Sequence, residues 1–324
     1  MRNFVAFTTA LILMASNPAH AEQGDNKPRT AISTADFQLK GQAIRIHTIP
    51  TGFIDIRDCH YENCLSDDAP YFFRFARILL GKKRNNPLSI NTYLIEHPEG
   101  NFLIDAGGDK DWSDPNGWSC DKIAGAISRR IATVDTRASE EIQERLKALK
   151  IKPADIKMTV ITHLHFDHTA GIKKLKTVTI VGAPDLEVPR IIGSAPCRFF
   201  DGVQLTTFES LPKTSAGADE KRFGQSVSLT KDDSIKLFAT SGHTPGSLSI
   251  RVATDKGALW FIGDSSFTEK GIMPLAPLAG IHTDNVEIRN IHKNLVDLKN
   301  SQYILVVPAH DLTAAERIQA FSAR

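Results

Sequence analysis

The sequence predicts an α/β protein, and three observations carry that reading. Short apolar runs rich in Val, Ile, Leu and Phe recur near 43–49, 90–96, 101–105, 157–162, 177–182, 235–239, 247–253, 258–263 and 303–307. Helical periodicity falls between them: Ile142, Leu146 and Leu149 mark one face of 139–149, and a second helix is expected over 285–298. The third observation is placement. The residues best suited to chemistry stand where apolar runs end, and a rigid sheet can aim such side chains into one site. With 324 residues, 41% of them hydrophobic and 23% charged, the chain can bury one large core.

The run Met158-Thr159-Val160-Ile161 leads directly into Thr162-His163-Leu164-His165-Phe166-Asp167-His168. Side chains alternate sides along an extended segment, so His163 and His165 should project together while Leu164 and Phe166 turn to the core. Asp167 and His168 then fall where the strand gives way to a helix expected over Thr169 to Lys174. Two imidazoles can hold one divalent ion, and a carboxylate with a third imidazole can hold its neighbour. Three later residues repeat the placement. His243 lies in Ser241-Gly242-His243-Thr244-Pro245-Gly246 after the run Ile235–Ala239. Asp264 follows Ala258–Ile262 and Gly263, a glycine that lets the backbone turn, and His310 follows Ile304–Ala309.

With those residues in that order, the chain from about Ala43 to His310 resembles the metallo-β-lactamase superfamily. The resemblance implies a four-layer αβ/βα metallo-β-lactamase sandwich over 43–324. It also implies two divalent metal ions, zinc first, with Fe, Mn or Co accepted by the same ligands. Position by position, His163, His165 and His243 would bind the first ion and Asp167, His168 and His310 the second, with Asp264 bridging both. The stretch Asn91 to Asp105 is similar to that family's early β-hairpin, in which His97 is a turn residue rather than a ligand. Asp167 and Asp264 are the candidate catalytic carboxylates. The implied chemistry is hydrolysis: two ions sharing a water lower its pKa towards neutrality, giving a metal-bridging hydroxide, and Asp264 can pass a proton to the leaving group.

Within that superfamily the motif wording is most similar to the N-acyl-homoserine lactonases. The matching stretches are Thr-His-Leu-His-Phe-Asp-His, Gly-His-Thr-Pro-Gly-Ser and Gly-Asp-Ser-Ser-Phe-Thr. Those lactonases carry a tyrosine three residues after the bridging aspartate, where its hydroxyl contacts the substrate carbonyl. This chain has Phe267 there, so Phe267 is the candidate substrate-binding residue. A lactone or ester hydrolase is the leading expectation, and a related hydrolase of phosphotriesters, β-lactams or thioesters is the alternative. The resemblance disfavours a redox role, because the flavodiiron branch has a carboxylate where this chain has His165. Glyoxalase II is less similar, since its C-terminal helical domain has little room after His310.

The remaining features concern address and partners. A net charge of +2 comes without a basic stripe, so a small-molecule substrate is expected and nucleic acid is not. Gly81–Arg84 and Lys173–Lys176 read as solvated faces, and nothing in the sequence sets an oligomeric state. Residues 1–21 read as a signal peptide: Arg2, an apolar Phe4 to Met14, and Ala19-His20-Ala21 as a cleavage site. That apolar run is too short for the ~20 residues of a membrane span. Cys59 is the first cysteine, so no lipid acceptor lies near the cleavage site and no membrane anchor is expected. The mature protein should be exported, periplasmic in a Gram-negative source, with 22–42 as a flexible lead-in. Cys59, Cys64, Cys120 and Cys197 allow three disulfide pairings, of which proximity favours Cys59–Cys64 with Cys120–Cys197. Ser119-Cys120-Asp121-Lys122 matches SxxK by chance, since no SDN or KTG accompanies it. Residues 52–88 and 184–232 are expected as loops around the site mouth, with Phe72, Phe73 and Phe75 either lining an acyl pocket or packing ordinarily.

Overall fold

Two β-sheets stack face to face and helices cover their outer sides. The computed structural model describes residues 29–113, 122–187, 200, 202–214, 217 and 220–324. One sheet runs β1 (Ser33–Leu39), β2 (Gln42–Ile56), β3 (Leu88–His97), β4 (Gly100–Ile104), β6 (Ile156–Val160), β7 (Thr179–Val181) and β8 (Leu205–Thr207), with β5 (Ala132–Asp135) paired to β2. The other runs β13 (Ile304–Val307), β12 (Gly257–Phe261), β11 (Leu248–Thr254), β10 (Ile235–Ala239) and β9 (Ser226–Ser228). Hairpin neighbours are antiparallel, whereas β4–β6, β6–β7, β7–β8 and β12–β13 are parallel. The helices are α1 (Asp58–Tyr61), α2 (Tyr71–Leu80), α3 (Lys122–Ile131), α4 (Ile142–Ala148), α5 (Phe166–Thr169), α6 (Ile172–Leu175), α7 (Ala183–Glu187), α8 (Asn285–Ser301) and α9 (Ala314–Ser322).

Strand alternation builds the layers. On β3, Tyr93 and Ile95 face the second sheet and join a core with Phe102, Ile250, Leu259 and Phe261. Leu94 between them faces the other way, into a cluster with Ile142 and Leu146 of α4 and Ile172 and Leu175 of α6. A strand buried on both faces reads as a continuous apolar run, as β12 does. The second sheet sends Phe238, Trp260 and Val306 outward to meet Ile288, Ile291, Leu295 and Leu298 of α8. Those four recur at helical spacing, and Asp284 caps the helix by accepting from Val286 N and Glu287 N.

The structure corrects several expectations. Ser33–Leu39, placed within the flexible lead-in of 22–42, is β1, paired in register from Ser33 with Thr48 to Leu39 with Gln42. Its buried Ala35 and Phe37 are flanked by polar residues, which masked the alternation. The domain therefore starts before 43, and Arg29 adds ion pairs to Asp135 and Glu140. The 52–88 segment is not an irregular loop, because β2 runs on to Ile56 and α1 and α2 follow. Within 184–232, α7, β8 and β9 are regular. The helix expected over 169–174 is split into α5 and α6 at Ala170-Gly171. Cys59 and Cys64 form the expected disulfide. The signal peptide, Cys120, Cys197 and Ser119–Asp121 of the SxxK match lie outside the described residues. Among those residues, no helix is long and apolar enough to cross a membrane.

Candidate metal centre

Every expected ligand lies at the same end of the two sheets. β6 stops at Val160, and the chain beyond it is pinned on both sides. Thr162 N donates to Asp105 Oδ1 at 2.7 Å, and Thr162 O accepts from Leu248 N of the second sheet at 2.7 Å. His163 and His165 follow on this non-helical link, with Leu164 buried as expected. Phe166 is buried too, in a core cluster with Ala170, Phe267 and Ile281, and it begins α5 and lines the edge of the site cavity. The first turn of α5 then presents Asp167 and His168. Gly263 has φ +51°, and a Cβ there would lie 2.7 Å from Thr162, so only glycine turns the chain this tightly to deliver Asp264.

Two clusters result. In the first, His165 Nδ1 lies 2.8 Å from His163 Nε2 and 3.1 Å from His243 Nε2. Asp264 Oδ2 stands 3.5 Å from His243 Nε2 and 3.8 Å from His163 Nε2. In the second, Asp167 Oδ2 lies 3.3 Å from His310 Nε2 and 3.5 Å from His168 Nε2. The other oxygen of Asp264 reaches this cluster too, 3.2 Å from His310 and 3.4 Å from His168. One carboxylate thus faces both groups of donors. His97 stays away from them and bonds Ser234 Oγ.

The donor set fits divalent cations. Three imidazole nitrogens converge in the first cluster, and a tetrahedral ion ~2.1 Å from each would space them roughly 3.4 Å apart. His168 Nε2 and Asp264 Oδ1 are buried without a hydrogen-bond partner. The far nitrogens are already held: His168 Nδ1 donates to Asp105 Oδ2 at 2.8 Å and His310 Nδ1 donates to Ser89 O at 2.7 Å. His243 Nδ1 meets His282 Nδ1 at 3.1 Å. Such bonds fix the tautomer and turn each Nε2 lone pair to the centre. Electrostatics agree. Burial pushes His163 and His243 well below the ordinary imidazole range, favouring the neutral form that binds metal. Burial opposes charge on His168 and His310 as well, but Asp105, Asp167 and Asp264 outweigh it and hold both pKa values up, His310 at about 10. The carboxylates therefore demand positive charge between them.

A family model described as the metallo-beta-lactamase superfamily matches residues 85–310, a span that includes all seven of these side chains. The chain belongs to the metallo-beta-lactamase superfamily. Relatives place it further. The N-acyl homoserine lactonase AttM of Azorhizobium caulinodans is 33% identical over 194 residues, covering 58% of this chain and 69% of that protein. The RNase aCSPSF2 of Saccharolobus solfataricus is 26% identical over 193 residues, and the match covers 54% of this chain but only 37% of that protein. Among solved structures, an N-acyl homoserine lactone hydrolase with N-hexanoyl-L-homoserine bound at its catalytic metal center superposes with a TM-score of 0.61 at 18% identity, covering 84% of this chain and 94% of that one. The expected sandwich and a metal-dependent hydrolase with lactonase relatives are borne out at the level of the superfamily.

Around this superfamily site stand residues that the sequence reading passed over. Asp105, noted only as the end of a hairpin, accepts from Thr162 N, Thr162 Oγ1 and His168 Nδ1. Asp185 accepts from Leu164 N, Thr244 Oγ1 and Gly246 N, tying the two histidine loops together. His282 backs His243. Only Asp105 carried a signal, its position at the end of an apolar run. Above the clusters opens a cavity whose floor includes His165, Asp167, Asp264 and His310 and whose walls include Ile54, Ile56, Phe75, Leu88, Ile127 and Ile131. Phe267 lines it, 7% exposed, with its ring centroid 5.5 Å from that of His310. Of the three phenylalanines on α2, only Phe75 lines this cavity. Phe72 and Phe73 are 74% and 58% exposed, so the pocket role is corrected for both.

Proposed function

We propose that this protein is a binuclear metal-dependent hydrolase that opens lactone or simple ester bonds of acyl substrates. The observation that supports it best is one cavity with apolar walls and both donor clusters at its floor. His163, His165 and His243 would hold one divalent ion, Asp167, His168 and His310 the other, with Asp264 shared. Zinc suits these imidazole-rich donors, as do iron, manganese and cobalt. Ions held there would acidify a water and polarise the scissile carbonyl. The chain supplies the rest. Ile54, Phe75 and Ile131 bind an acyl chain and exclude water from the floor. Asp264, whose two oxygens face both donor clusters, would carry a proton to the leaving alkoxide.

A hydrolysis panel on metal-loaded protein tests this: acyl lactone, aryl ester, phosphotriester, β-lactam, thioester and an RNA oligonucleotide. Lactone or ester turnover is expected to dominate. Rapid turnover of any other member, with lactones and esters untouched, would overturn the reading. Phe267→Tyr should raise kcat for acyl lactones, by about tenfold or more, because one donor to a developing oxyanion is commonly worth ~10²–10³-fold. Steady-state kinetics of the two proteins on one lactone check it, and an unchanged or lower kcat would remove Phe267 from the account.

We also propose export. The Cys59–Cys64 disulfide is at home in an oxidising compartment, and Ala19 and Ala21 suit a signal-peptide cleavage site. The mature protein should begin at Glu22. N-terminal mass analysis of secreted material decides this, and an intact Met1 in the soluble fraction would count against it.

A further inference from the structure

Helix α2 carries apolar residues on both of its sides. Inward, Ile78 is buried and Phe75 lines the cavity. Outward, Phe72, Phe73 and Leu80 are 74%, 58% and 76% exposed. At about 3.6 residues per turn, Phe72, Phe73, Ala76, Arg77 and Leu80 fall within one arc of roughly 140°. Single exposed apolar residues are ordinary, but two phenylalanines and a leucine on one helical face mark a surface that meets something. Charge says what. Beyond Leu80 the chain continues Gly81-Lys82-Lys83-Arg84. Arg57 holds a second basic segment alongside, since its Nη1 donates to Gly81 O at 2.6 Å and its Nε to Arg130 O at 2.7 Å. Arg77, Lys82 and Arg130 are exposed and have no ion-pair partner among the described residues. Lys83 reaches Asp55 at 3.9 Å, and Arg84 lies over the ring of Tyr61. An apolar helical face that ends among unneutralised cations suits a membrane surface of opposite charge.

We propose that α2 docks on a phospholipid bilayer carrying anionic headgroups, with Phe72, Phe73 and Leu80 entering the interface and Arg77, Lys82 and Arg130 meeting the phosphates. The contact is with a surface: α2 has 10 residues and is about 15 Å long, roughly half of what a crossing needs. Headgroup phosphates neutralise the three cations wherever they land, whereas a second copy of the chain would have to align acidic groups with all of them. Because the same helix turns Phe75 into the cavity, docking brings the cavity wall to the layer in which acyl chains dissolve. That benefit rests on the acyl-substrate reading above, but the docking itself does not and is measured without substrate.

The test is flotation of metal-loaded protein with vesicles of phosphatidylcholine alone or mixed with phosphatidylglycerol. The protein begins at Glu22, which keeps the apolar Phe4 to Met14 out of the comparison. Binding should favour the mixed vesicles and weaken as salt rises. Phe72→Ser with Phe73→Ser should lower the partition coefficient by about tenfold or more, through the apolar area no longer buried. Arg77→Glu with Lys82→Glu should lower it by about tenfold or more on the mixed vesicles, at roughly fivefold for each basic residue near such a surface. All four side chains are exposed and outside the cavity, so metal content and melting temperature should stay at wild-type values. No binding, equal binding to neutral vesicles, or binding that survives either pair of substitutions overturns the proposal. Sedimentation velocity tests for a second copy: a dimer that Phe72→Ser with Phe73→Ser dissolves, without vesicle binding, gives the face to that copy and overturns the proposal equally.

Discussion

Asp264→Ala should reduce hydrolysis by at least ~10³-fold and release at least one of two bound metal ions per chain. Its carboxylate spans both clusters: Oδ2 faces His243 and His163, and Oδ1 faces His310 and His168. On the proposed reading, removing it would delete the shared ligand and the proton carrier together, and leave five imidazoles with one carboxylate, Asp167, to balance the ions. Elemental analysis should find close to two divalent ions in the wild type, and a chelator should abolish activity that added zinc or manganese restores. Protein that takes up no metal, even after refolding with either ion, would sink the binuclear reading. A variant that keeps both ions and full turnover would do so equally.

Asp105→Ala should have the next largest effect, lowering metal affinity by about 10–100-fold although Asp105 is not an expected ligand. Its carboxylate is 2% exposed and accepts from Thr162 N, Thr162 Oγ1 and His168 Nδ1. Alanine leaves these donors buried and unpaired, at about 1–3 kcal/mol for the group left worst off. Asp105 also has φ +60°, a left-handed conformation that costs alanine roughly a further 1–2 kcal/mol. Asp105→Asn separates the two effects, since asparagine tolerates that backbone and keeps one acceptor. Its melting temperature should approach wild type while metal affinity stays reduced. Equal metal affinity in all three proteins, measured by competition with a coloured chelator, would show that His168 needs no such partner.

The parts of this molecule that could be read from the sequence share one property: local pattern and tertiary role coincide. His163, His165, His243, Asp264 and His310 each follow a run that is apolar because its strand is covered on one or both faces. What escaped depends on contacts between distant segments. Asp185 bonds residues up to 61 positions away, and His243 is backed by His282, 39 positions along. Nothing near either residue marks it. β1 was lost because an edge strand alternates with polar residues and shows only Ala35 and Phe37 inward. α1 was lost because it is four residues long and has no side-chain N-cap. On α2 the spacing of phenylalanines was visible, but not which side of the helix the cavity would occupy.

The floor of the cavity and most of its walls come from separate stretches of chain. The candidate metal donors sit on 163–168 and at 243, 264 and 310, whereas much of the wall is built from 54–88 and 127–132. Selection acting on the second set can change what the enzyme accepts without touching how it reacts. A library confined to Ile54, Ile56, His60, Phe75, Leu88, Ile127 and Ile131 should therefore yield progeny with divergent diets and a common metal stoichiometry. Inheritance through such a scaffold is modular, and new appetites need not be bought with a broken reaction centre.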